Sequence, residues 1–300
     1  MDFTDPRLFS GASDSMTSPA IRWFFLLALP VALAFGAAPV RSQPFPSTAQ
    51  PAWSDLADLA DAAQLVVRAK VKKQAVLAPE RAPDVAPGFA RLYIEAETLA
   101  LISGSIPVGE SLRYLVDVPL TAKGKAPKLK KTEVLLFARA VPSRPGEIQL
   151  VSRDAQLAWT PMLEQRLRPV LMALAAPDAP PVTLGIRDAL SVEGNLNGES
   201  ETQIFLDTKS GAPVSISVVR RPGRGAVWGV SYSEIVDQAV TSPQRETLGW
   251  YRLACFLPDR IPAASHLTVD PEDRARADAD YQFVRQQLGP CGRTRAPPLG

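Results

Sequence analysis

The side chains most capable of binding a ligand in this sequence are two clusters of basic residues. The stretch KGKAPKLKK holds five lysines within one predicted connection, and RRPGR holds three arginines at a predicted hairpin tip. Clustered positive groups favour an anionic partner, such as lipid headgroups or an acidic polysaccharide. The alternative is a set of solvated loops, with lysines that discourage strand pairing at a sheet edge. The candidate residues are Lys123, Lys125, Lys128, Lys130, Lys131, Arg220, Arg221 and Arg224, and a predicted strand adds Lys70, Lys72 and Lys73.

The sequence lacks the common catalytic signatures. His266 is the only histidine and lies in a predicted loop, where a solvated or loop-packing side chain is expected rather than a triad member. The segment GVSYS has serine where a nucleophile elbow needs its last glycine, and no H-E-x-x-H, phosphate-binding loop or G-x-G-x-x-G occurs. The sequence therefore predicts no catalytic residue, no metal site and no cofactor.

The carboxylates are scattered along the chain. Three of them share a predicted helix with two arginines, which indicates a solvated face with local ion pairs. Three glutamates in SVEGNLNGESE match no recognised oxygen cage for a cation. Acid–base catalysis by a carboxylate pair depends on geometry and stays open. The helix residues are Asp273, Arg274, Arg276, Asp278 and Asp280, and the glutamates are Glu193, Glu199 and Glu201.

Export is predicted by the N-terminal part of the sequence. Residues 23–35, WFFLLALPVALAF, form an uncharged apolar run behind Arg22, and small residues follow. This order is typical of a secretory signal, so residues 1–42 are interpreted as a signal-peptide region with Met16 as a candidate start. The alternative is a retained membrane anchor, since the whole uncharged run from Trp23 to Val40 nearly reaches the length that spans a bilayer. The predicted location is periplasmic or secreted.

Two cysteines, Cys255 and Cys291, are the only ones in the chain. In an exported protein such a pair predicts one disulfide bond, which here would join two predicted helices. Two buried free thiols are the alternative. A zinc site is disfavoured because no histidine lies near either cysteine in the sequence.

The remaining sequence predicts a β-rich α+β protein with two domains. Residues 43–53 are a linker rich in proline and small polar residues, and residues 54–176 hold a short helix, five strands and a closing helix. Five strands with little room for crossover helices favour an OB-like barrel. Residues 177–181 are a second linker. A smaller α+β domain with about four antiparallel strands and two helices follows over 182–291, and a disordered tail is expected over 292–300.

The strand series of the first domain also resembles a known family. The quoted segments are QLVVRAKV (64–71), RLYIEAETLALISG (91–104), LRYLVDVP (112–119), EVLLFARAV (133–141) and EIQLVSRDAQLAWTPML (147–163). In order, they resemble the strands and closing helix of netrin-type modules, which include the tissue inhibitors of metalloproteinases. The resemblance implies an OB-like barrel and a protein- or polyanion-binding role. It does not extend to protease inhibition, because those inhibitors reach zinc through an N-terminal Cys-x-Cys and no cysteine precedes Cys255 here.

Amino-acid composition and net charge reduce the number of function classes that fit this sequence. The chain is 46% hydrophobic and 21% charged, as in globular proteins, and a net charge of +2 argues against a dedicated nucleic-acid binder. We expect an exported, non-enzymatic binding or adaptor module whose partner is a protein or an anionic envelope component. The alternatives are a hydrolase of envelope polymers that uses carboxylates, and an assembly factor anchored in the membrane by an uncleaved N-terminal segment.

Overall fold

The computed structural model describes residues 50–232 and 241–298, which belong to one compact unit. The predicted signal region, residues 1–42, lies outside the described residues, as does the first part of the predicted 43–53 linker. The described chain is β-rich α+β, with two antiparallel sheets and four α-helices, which confirms the predicted class. The division into domains at 177–181 stays a prediction. No helix within the described ranges is long and apolar enough to cross a bilayer.

Side chains at the helix starts fix where three of the four helices begin. Thr160 accepts a hydrogen bond from the Leu163 amide, and Asp270 accepts bonds from the next turn of backbone. Thr247 caps the third helix, since its side chain accepts a hydrogen bond from the Trp250 amide. The helices are α1 (Trp53–Ala62), α2 (Pro161–Ala175), α3 (Leu248–Ala254) and α4 (Pro271–Leu288).

The first sheet has six strands in the order β3-β2-β1-β4-β5, and β6 also pairs with β4. The strands are β1 (Leu65–Val76), β2 (Phe89–Gly104), β3 (Ser111–Pro119), β4 (Glu133–Ala140), β5 (Ile148–Leu150) and β6 (Gln156–Ala158). Alternating burial along β3 matches its predicted pattern. The long strand β2 pairs with β1 on one side and with β3 on the other. Five strands were predicted for this part of the chain, but the last of them is two short strands, β5 and β6, which pair with opposite halves of β4.

The two ends of this strand order approach each other without forming a continuous ladder. The Arg113 amide of β3 donates to the Gly146 carbonyl at 2.8 Å, and the Asp117 amide donates to the Arg153 carbonyl at 2.7 Å. Arg113 and Glu147 form a parallel bridge. The sheet is therefore strongly curved, but it is not a closed barrel.

The second sheet is a four-stranded antiparallel meander in the order β10-β9-β8-β7. Its strands are β7 (Thr183–Glu193), β8 (Ser200–Thr208), β9 (Val214–Arg220) and β10 (Val227–Ser231). Inward residues such as Ile204, Ile216 and Val218 are fully buried. The helix α4 packs on β7 and β8, and α1 packs against β4, α2 and α3.

Candidate functional site

The sequence holds nine lysines, and eight of them lie in only two segments. One segment is residues 70–73 in the middle of β1, and the other is the connection from β3 to β4. We call these eight residues the lysine surface: Lys70, Lys72, Lys73, Lys123, Lys125, Lys128, Lys130 and Lys131. In the fold the two segments lie side by side, since the Lys131 amide donates to the Val71 carbonyl at 2.8 Å and the Val71 amide donates to Thr132 at 3.0 Å.

The connection that carries five of these lysines is held in a defined shape. The side-chain amide of Gln74 donates to the Pro127 carbonyl at 2.9 Å and accepts from the Leu129 amide at 2.6 Å. At the loop tip, the Thr121 amide donates to the Lys125 carbonyl at 2.9 Å and closes a turn. Leu129 packs against the hydrophobic core. The lysine side chains therefore extend from a fixed backbone, so little loop entropy is lost when they bind.

Charge on the lysine surface is unbalanced. Lys72 pairs with Glu97 at 2.7 Å, and Lys73 pairs with Glu95 at 2.8 Å. The hydrogen bond from Lys72 lowers the pKa of Glu97, and the bond to Glu95 raises the pKa of Lys73. Within residues 50–232 and 241–298, none of the five loop lysines has an ion-pair partner. Eight lysines against two glutamates leave an excess of six positive charges, although the whole chain carries only +2.

Arginine is used differently in this protein. The chain has 33 basic residues and only nine lysines, so arginine is its usual cation. Many arginines stabilise the fold by donating hydrogen bonds to carboxylates. The planar guanidinium group suits this role because it can donate two bonds to one carboxylate. Arg68 also lies 3.5 Å from the ring centre of Trp159. The arginine–carboxylate pairs include Arg68–Glu133, Arg91–Asp117, Arg220–Asp280, Arg252–Asp61 and Arg293–Asp58.

The three arginines predicted at the hairpin tip separate into two kinds. Arg220 donates through Nε to Asp280 at 2.6 Å and also lies near the ring of Phe283, so it holds β9 to α4. Arg221 and Arg224 are exposed in the turn between β9 and β10. Arg220 is therefore a structural residue, whereas an anion-binding role for Arg221 and Arg224 stays a prediction.

Asp280 was wrongly assigned to a solvated helix face. Its side chain is fully buried, where it accepts hydrogen bonds from Thr202 at 2.5 Å and from Arg220. Arg276 and Asp273 on the same helix do form the expected local ion pair. The burial of Asp280 depends on how α4 docks on the second sheet, which helix periodicity alone does not reveal.

Two carboxylates, Asp84 and Asp117, are paired with the same arginine. Arg91 binds Asp117 through Nε at 2.7 Å and Asp84 through Nη1 at 2.8 Å, and its bond lowers the pKa of Asp84. No group of three or more metal-ligating side chains occurs within residues 50–232 and 241–298. His266 is largely buried and lies 3.4 Å from Asp278, which fits the packing role expected for it. These positions therefore provide neither a free acid–base pair nor a metal site.

The chain also has a shallow cavity of about 280 Å³ beside the β2–β3 and β4–β5 connections. Its apolar lining includes Leu65, Leu112 and Ile148. Arg144 and Glu147, which form an exposed ion pair, also contribute to its wall. The cavity therefore offers an apolar recess but no group prepared for catalysis.

Cys255 and Cys291 form the predicted disulfide bond, which joins the end of α3 to the chain beyond α4. The following segment, expected to be disordered, is instead bonded to α1. Arg293 donates to Asp58 through Nε and Nη2, and the Thr294 amide donates to Asp55 at 3.0 Å. These α1 aspartates were not singled out in the sequence, although their three-residue spacing places them on one helix face.

No protein-family model matches this chain, and no curated protein matches it.

Proposed function

We propose that this protein is an exported, non-enzymatic binding module whose lysine surface contacts an anionic component of the cell envelope. The observation that carries the proposal is the segregation of eight of the nine lysines into two chain segments that lie side by side in the fold. Most ion pairs within residues 50–232 and 241–298 use arginine. In the same ranges, only Lys72 and Lys73 of the lysine surface pair with a carboxylate. Lysine suits this role because its ammonium group is hydrated and mobile. It is therefore attracted to a negatively charged surface without requiring a fixed hydrogen-bond geometry.

Export is supported by two features. The disulfide bond between Cys255 and Cys291 is typical of oxidising compartments, and the apolar run at 23–35 is typical of a secretory signal. Both features support a periplasmic or secreted location. If the N-terminal segment is retained, the same module would be anchored in the membrane, and the mass of the mature protein distinguishes these cases.

We also propose that the first sheet is an OB-like barrel of the netrin type. The strand order β3-β2-β1-β4-β5 and the hydrogen bonds from β3 to the β5 side support this. The bonds from Arg113 and Asp117 join β3 to the chain segments that flank β5, and this contact supports the proposal. A binding role accords with such barrels, but the fold alone does not specify a partner.

The carboxylate-hydrolase alternative has less support. Asp84 and Asp117 share Arg91, and Asp58 is bound by Arg293. A glycoside hydrolase needs one carboxyl group that can release a proton and a second that stays ionised beside the substrate. Asp84 is a poor proton donor because its hydrogen bond from Arg91 lowers its pKa.

In-cell crosslinking with matched variants tests the proposal. One variant replaces Lys125, Lys128 and Lys130 by glutamine, and its control replaces Lys209, Arg221 and Arg224, so both lose three exposed charges. We expect the first variant to lose its envelope crosslinks and the control to keep them. The proposal is wrong if the loop variant keeps its crosslinks, and loss in the control alone would assign the site to the β8–β9 and β9–β10 turns.

A further inference from the structure

We infer that the anionic component is the headgroup surface of an anionic lipid bilayer, an inference that rests on the proposed function above. The lysine surface is bordered by two exposed apolar side chains. Val76 at the end of β1 is 59% exposed, and Phe89 at the start of β2 is 42% exposed. Apolar groups beside clustered lysines are typical of proteins that adsorb to a membrane interface.

The backbone places these apolar residues at the same end of the sheet as the lysine loop. Val76 follows Gln74, whose side chain anchors the loop at Pro127 and Leu129. Phe89 pairs with Pro119, and the Leu120 amide donates to the Gly88 carbonyl at 2.8 Å, immediately before the Thr121–Lys125 turn. One face can therefore present positive charge and apolar surface together.

The use of lysine rather than arginine on this surface favours a lipid bilayer, rather than an acidic polysaccharide, as the partner. A defined phosphate or carboxylate is best bound by the arginine fork, and this chain has arginine in abundance. A bilayer presents many mobile headgroups at once, and each lysine near such a surface contributes independently. An exposed valine gains from the interfacial hydrocarbon of a bilayer, but it offers no hydrogen bond to a sugar.

Equilibrium binding to vesicles tests this inference with the purified protein. The vesicles contain either phosphatidylcholine alone or phosphatidylcholine mixed with phosphatidylglycerol, and soluble polygalacturonate is the competing acidic polymer. We expect binding only to the mixed vesicles, and weaker binding as the salt concentration rises. Replacing Lys125, Lys128 and Lys130 by glutamine should weaken it roughly 100-fold, from about 1 kcal/mol for each lysine.

The apolar contribution has its own matched control. Val76→Ser should weaken vesicle binding about fivefold, because part of a valine side chain no longer enters the interface. Val269→Ser alters a valine that is 87% exposed outside the lysine surface, and it should leave binding unchanged. Equal effects of the two substitutions would contradict the assignment of this face. Thermal unfolding of each variant confirms that the fold is retained.

The outcomes separate the two proposals. Tight binding to polygalacturonate without binding to the mixed vesicles would overturn the lipid inference and leave an anionic polymer as the partner. Binding to neither probe would contradict both. Vesicle binding that persists unchanged in the lysine variant would also overturn the inference, because the lysine surface would not then make the contact.

Discussion

Replacing Asp58 by asparagine is expected to destabilise the attachment of the C-terminal segment to α1. The Asp58 side chain is only 5% exposed, and it accepts bonds from Arg293 at 2.6 and 2.8 Å and from the Tyr251 hydroxyl at 2.7 Å. This contact raises the pKa of Arg293. Asparagine keeps the shape and one acceptor oxygen, but it removes the charge that faces the guanidinium.

The magnitude follows from the burial of this ion pair. Removing one partner of a buried pair costs about 3–5 kcal/mol, and hydrogen bonds to charged groups contribute about 1.5–3 kcal/mol. Because asparagine retains part of the hydrogen bonding and Arg293 keeps some contact with water, we expect a loss of about 2–3 kcal/mol in the free energy of unfolding.

Asp259→Asn is the matched control. Asp259 pairs with Arg285 at 2.7 Å, almost the same distance, but its side chain is 93% exposed. An exposed pair contributes about 0–1 kcal/mol, so the control should change stability by less than 1 kcal/mol. The two substitutions therefore differ mainly in burial.

Equilibrium unfolding in urea, followed by tryptophan fluorescence, measures both variants. Trp53 and Trp250 lie in edge contact between α1 and α3, so their fluorescence reports on this region. A shift in the midpoint without a change in slope gives the difference in stability. Equal losses in Asp58→Asn and Asp259→Asn, or a loss below 1 kcal/mol in the first, would refute the claim that the Asp58 contact fastens the segment.

Three further predictions concern other parts of the structure. Replacing Cys255 and Cys291 by serine should lower the free energy of unfolding by about 4 kcal/mol on the chain-entropy model, measured in urea, and no change would contradict that estimate. The folded pKa of Glu164 is lowered from 4.5, so its contribution is present above that pH and should be lost on acidification below it; urea titrations at each pH should show a flatter profile for Glu164→Gln. Gln74→Ala should speed amide hydrogen exchange at Leu129 about fivefold, since one net hydrogen bond contributes about 1 kcal/mol, and unchanged exchange would show that the loop is held by other contacts.

Local sequence patterns predicted most of the helices and strands, but few of the contacts between them. The alternation in β3 and the Asp270 cap of α4 are visible in the sequence because each depends on neighbouring residues. The disulfide was also predictable, since Cys255 and Cys291 are the only cysteines. The split of the fifth strand was not, because it depends on how two short segments share β4.

Buried polar contacts were the least predictable part. Asp280 lies on a helix that is charged on most sides, and only docking of α4 on the second sheet shows that Thr202 and Arg220 bind it. The basic segments were evident in the sequence. Their adjacency was not, because the pairing of Val71 with Lys131 joins residues far apart in the chain.

The most direct test of the central claim is the salt dependence of binding to isolated cell envelopes. The wild-type protein should bind, and its affinity should fall steeply as salt rises toward about 0.15 M, where the Debye length is about 8 Å. The Lys125, Lys128 and Lys130 glutamine variant should bind more weakly and with a shallower dependence on salt. Identical binding by both proteins at every salt concentration would contradict the account.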